Sequence, residues 1–118
     1  MVEKIYDGLS NLDIVFADNI LKKIENNIDS YFNSYGITEI EILKYHVTKD
    51  NTGEKYCSVE LKYNSFGINN RDFEILKGMM AIENFSFEFI YSKHRDLNID
   101  MNKKLSDFFI IVFYRTIC

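Results

Sequence analysis

The side chains from which nucleophilic or metal chemistry is most often built are His46, His94, Cys57 and Cys118, and their spacing argues against both uses. Metal centres draw on convergent His and Cys, commonly in close pairs, and these four are dispersed along the chain. In the hairpin register derived below, His46 lies opposite Ser58 and Val47 opposite Cys57, so His46 and Cys57 fall on different faces. A His46–Ser58 pair has no orienting acid that the sequence identifies. His94-Arg95-Asp96 copies three letters of a protein-kinase catalytic loop, but the glycine-rich loop and the length for two lobes are missing. The five glycines stand singly at 8, 36, 53, 67 and 78, which excludes a glycine-rich phosphate cradle. Glu39 and Glu41 sit two apart beside Lys44, the pattern of a solvated strand face rather than of a general acid and base. The expectation is a chain without catalytic residues, metal or cofactor.

The elements that position these residues are legible in the hydrophobic periodicity. Ser10 and Asp13 form an Asp version of the capping box, flanked by Leu9 and Ile14 as a hydrophobic staple. At 3.6 residues per turn, Ile14, Ala17, Ile20, Leu21, Ile24, Ile28, Tyr31, Phe32 and Tyr35 share one face, and Gly36 follows as a C′ glycine. A helix over 11–35 is expected, its polar side carrying Asp18 and Asp29, with Leu12 and Val15 off the apolar stripe. From Ile37 to Thr48 the period becomes two, and the apolar set shifts phase at Ile42–Leu43, which implies a β-bulge. A three-residue loop Asn51-Thr52-Gly53 with Gly53 left-handed pairs Asp50 with Glu54, and hence Val47 with Cys57, Tyr45 with Val59 and Leu43 with Leu61.

Beyond a polar stretch at 64–70, Phe73, Leu76, Met79 and Met80 favour a short helix over 71–80, with a strand as the alternative. Phe85, Phe87, Phe89 and Tyr91 alternate with polar residues, giving a strand with its aromatic side toward the core. A charged connection over 93–104 follows, in which Leu97, Ile99 and Met101 suggest a packed loop or short edge strand. Phe108 to Tyr114 lacks polar alternation and reads as a central strand covered on both faces, or on one face and by a partner. The order α-β-β-(α)-β-β implies a single α+β domain over 1–118, its long N-terminal helix packed on a roughly four-stranded, mainly antiparallel sheet.

Composition bounds the partners. The 118 residues carry a net charge of −4, and the deficit is local: residues 1–60 hold six Lys against eleven acids, while residues 61–118 hold eight Lys or Arg against seven. With three Arg and no basic stripe, direct nucleic-acid binding is not expected. The apolar runs are too short to span a bilayer, and Met1–Asp7 lacks the cationic and apolar parts of a secretory signal, so a cytoplasmic location is expected. Abundant Ile, Asn, Lys, Phe and Tyr, against two Ala and no Pro, are the residues of A/T-rich codons, as in many bacterial, phage and mobile-element genes. Together these features favour a small acidic protein-binding module of the inhibitor, immunity or anti-defence kind, covering a basic site on a larger macromolecule. Asp18, Asp29, Glu39 and Glu41 are the candidate contacts. The alternative is a small-ligand binder with an aromatic-lined cavity between helix and sheet.

Overall fold

The capping box closes as expected. The Ser10 hydroxyl accepts from the Asp13 amide at 3.2 Å, and the Asp13 carboxylate accepts from the Ser10 amide at 3.3 Å. In the computed structural model, which describes residues 2–32, 34, 40–63, 70–93 and 108–117, helix α1 (Asn11–Asn27) starts there. Lys55 also donates to Asp13 at 2.6 Å, tying the helix start to the sheet and holding that carboxyl below the usual range. Ala17, Ile20, Leu21 and Ile24 are buried, as the periodicity requires. The helix does not continue regularly to 35: Ile28–Phe32 is a π-helical turn. Bonding from i to i+5 takes up an extra residue per turn and slips the phase, so Tyr31, expected on the core face, is exposed. Tyr35 and Gly36 lie outside the described residues. Leu12, Val15 and Phe16 form an exposed apolar spot on a regular first turn.

The described sheet has five strands rather than four, and the chain enters it before α1. Strand β1 (Glu3–Asp7) lies parallel to β2 (Ile40–Lys49), with Ile5 beside His46 and Tyr6 beside Val47. β1 is short and charged, so only Ile5 and Tyr6 signal it, and Gly8 with φ +68° turns the chain toward α1. β2 pairs antiparallel with β3 (Lys55–Tyr63) around Gly53, whose φ is +89°. Val47–Cys57 and Tyr45–Val59 pair as expected, and the bulge falls at Leu43. Because Leu43 is the extra residue, Leu61 faces Ile42, which corrects the expected Leu43–Leu61 pair.

Helix α2 (Asn70–Ile82) is longer than 71–80 and ends in a Schellman motif. Phe85 donates its amide to Met80 and Asn84 to Ala81, both at 3.0 Å, with Asn84 left-handed at φ +63° and Phe85 buried against the helix. Strand β4 (Ser86–Lys93) then pairs with β5 (Phe108–Thr116), which inserts between β4 and β3, giving the order β1-β2-β3-β5-β4.

Both helices pack on one face of the sheet. The core there joins Ala17, Ile20, Leu21 and Ile24 of α1 and Leu76, Met79 and Met80 of α2 to Tyr45, Val47, Cys57, Val59, Leu61, Ile111 and Phe113. Each buried aliphatic or aromatic side chain contributes roughly 1.5–3 kcal/mol. A second bulge, at Glu88, separates the pair Phe87–Phe113 from Phe89–Val112. Phe87 therefore packs edge-on to Phe73 and Phe113 in the helix-side layer, while Phe89 and Tyr91 turn to the opposite, open face. The strand's aromatic residues do not all face the core, because the inserted residue reverses the alternation. Ile110 and Val112 share the open face yet are only 2% exposed, so β5 is central and covered on both sides.

Candidate functional site

The four candidate acids separate once the elements are placed. Asp18 accepts a hydrogen bond from the Tyr6 hydroxyl and lies 4.0 Å from the Lys4 ammonium, so it joins α1 to β1 and is half-buried rather than simply outward. Burial first, and then this bond, raise the Tyr6 phenol. Glu39 lies outside the described residues. Asp29 and Glu41 are exposed and border one depression.

It lies where the π turn passes the start of β2. Asp29 and Glu25, separated by four residues, project from one flank of the helical segment, and Glu41 approaches from the strand. Glu25, Asp29 and Glu41 border a notch of about 290 Å³ together with Ile28, Ile40, Ile42 and Val2, the Glu41 side chain alternating away from Ile40 and Ile42 toward Lys62. The bulge at Leu43 keeps Ile42 on the helix side while Glu41 turns to the other face, beside Lys62. Lys62 stands 3.6 Å from Glu41, whose side chain is 57% exposed. The Lys62 side chain is the more buried partner of this pair. Glu25 escaped the sequence reading, although its four-residue spacing from Asp29 signals a shared flank.

A second depression lies on the open face. His46, Thr48, Tyr56, Ser58, Glu88 and Tyr114 line about 320 Å³ there. The orienting acid absent from the sequence reading is Asp7 of β1, whose Oδ2 lies 3.0 Å from His46 Nε2. Asp7, His46 and Ser58 thus stand on three successive strands. This alignment does not assemble a nucleophile. Among the described residues no hydrogen bond joins His46 to Ser58, and β3 is paired on both sides, so its amides are engaged in the ladders instead of facing an oxyanion.

No protein-family model, curated protein or solved structure matches this chain. Cys57 is buried, its sulfur 3.1 Å from the Tyr45 hydroxyl, which donates to the Ala17 carbonyl at 2.8 Å. Burial pushes both the thiol and the phenol upward, the opposite of what an activated nucleophile requires. The same packing bears on the aromatic cavity expected between helix and sheet: Tyr45, Tyr63, Phe85 and Phe113 belong to the packed core there. The depression described at the edge of that interface is bordered by aliphatic and acidic side chains, not aromatic ones. No described helix is long and apolar enough to cross a membrane. Cys118 and His94-Arg95-Asp96 fall outside the described residues.

Proposed function

We propose that this chain is a small acidic, non-enzymatic protein-binding module that covers a basic site on a larger macromolecule, in the manner of an inhibitor, immunity or anti-defence protein of a bacterium, phage or mobile element with A/T-rich genes. The observation that carries the reading is the notch, where Glu25 and Asp29 flank an apolar floor and Glu41 adds its charge from the adjoining strand. A Lys or Arg side chain has matching chemistry: its aliphatic stem covers Ile28 and Ile42 while its charged head meets the carboxylates. The acid excess of residues 1–60 steers such a partner toward this end of the molecule. Asp18, engaged with Tyr6, contributes to the field more than to contact.

The test is neutralisation of the rim. A Glu25→Gln, Asp29→Asn, Glu41→Gln chain should keep its melting temperature, associate severalfold more slowly with a partner isolated by tagged pull-down from the host, and lose most of the salt dependence of that rate. Exposed Glu54, Glu74 and Glu88 supply the matched control of three charges, since Asp72 is buried and accepts from Tyr63 at 2.8 Å. Equal effects of the two sets would overturn the reading. Small-ligand binding remains the second reading, moved from the helix–sheet interface to the open-face depression between Tyr56 and Tyr114.

A further inference from the structure

The two edges of the sheet are built differently. β1 is five residues long, and its Glu3, Lys4 and Asp7 discourage pairing with another strand. β4 is eight residues long, has a neighbour on one side only among the described residues, and exposes Phe87, Phe89, Ile90 and Tyr91. An unpaired edge alone does not name what pairs with it. The side-chain order does: Phe89 and Tyr91 flank Ile90, and on the open face the two rings stack at 5.8 Å with planes 29° apart.

From this order we infer that β4 pairs antiparallel with β4 of a second copy of this chain, with Ile90 opposite Ile90 across a two-fold axis perpendicular to the sheet. That register places Phe89 opposite the partner's Tyr91 twice, joining two stacked pairs into a four-ring cluster on the open face. Ile90 meets its copy on the helix face, beside Ile111. Shifting the register by two toward the amino terminus brings Phe87 opposite Tyr91, and the bulge at Glu88 has put those two on opposite faces, so that pairing is excluded. Glu88 falls opposite Ser92, and no acid faces an acid. Charge agrees, because β4 and β5 belong to the half of the chain that carries none of the net negative charge. The segment available for pairing is short, which makes this a concentration-dependent dimer rather than an obligate one.

Analytical ultracentrifugation tests it. The 14.0 kDa chain should rise toward twice its mass between roughly 10 µM and 1 mM. Phe89→Lys and Ile90→Lys, each checked for folding by circular dichroism, should remain monomeric over that range, and Leu12→Lys should dimerise like the parent. The register is read separately: in a Cys118→Ser background, Ile90→Cys should form an interprotomer disulfide under mild oxidation, and Glu88→Cys should not. A parent chain monomeric throughout, dimers indifferent to both lysines, or crosslinking through residue 88 in preference to 90 would each overturn the inference.

Discussion

Asp50 shows how much one side chain can organise. Its Oδ1 accepts from the Thr52 amide at 2.9 Å, the Thr52 hydroxyl at 2.6 Å and the Glu54 amide at 2.9 Å, while Oδ2 accepts from Tyr56. These bonds, the Thr52 bond foremost, lower the carboxyl from 3.8 to about 2. Protonation is therefore harder in the folded turn than in the unfolded chain, so the contribution is complete above about 4 and fades as pH falls toward about 2. Carboxyl carbon shifts should place the Asp50 midpoint well below 3.8, and Asp50→Asn should weaken the acid sensitivity of the melting temperature between pH 4 and 2. A midpoint at 3.8 would discard the turn as its cause. Gly53 acts through its backbone: a Cβ there meets Lys49 only at an ordinary 3.7 Å, but φ is +89°. Gly53→Val should cost about 1–2 kcal/mol in thermal or denaturant unfolding, from strain and not from collision.

Among the elements, β5 carries the firmest expectation. Ile110 and Val112 are buried on the face away from the helices, so Val112→Asp places a charge where burial costs several kcal/mol against a total of about 5–15. That chain should fail to fold by circular dichroism, while Tyr114→Ser, at an exposed position of the same strand, should fold normally. A folded Val112→Asp protein would mean that the strand's second face is open. The uninterrupted apolar run made this strand readable, as Ser10 and Asp13 made the helix start and Gly53 the hairpin register. What stayed hidden was hidden for physical reasons. β1 is too short and charged to show a period, and it is stabilised by parallel pairing with a strand about forty residues on. The π turn and the bulge at Glu88 each insert one residue, and periodicity carries a phase forward until something breaks it. Asp7 could not be assigned to His46 without β1, and Glu25 joined Asp29 and Glu41 only once helix and strand were set side by side. Asn84 was the missed local signal, an αL-tolerant residue directly after a helical pattern.

At the scale of the whole molecule, the acidic notch lies between α1 and β2, toward the β1 side of the sheet, and the aromatic strand lies at the opposite edge. A protein partner at the notch and a second copy at β4 therefore occupy separate surfaces, so dilution should not abolish partner capture. The strand order has another consequence, for synthesis. β5 is made after the other described strands, yet it is the piece that joins β4 to β3. At about 5–20 residues per second, roughly one to five seconds separate the making of Lys93 from that of Thr116. Until β5 docks, β1, β2 and β3 can already zip together, while β4, with four large exposed apolar residues, has no other described strand to hold it. The aromatic edge is therefore the last part of the described sheet to be secured, and slow docking of β5 would prolong its exposure and with it the demand on chaperones.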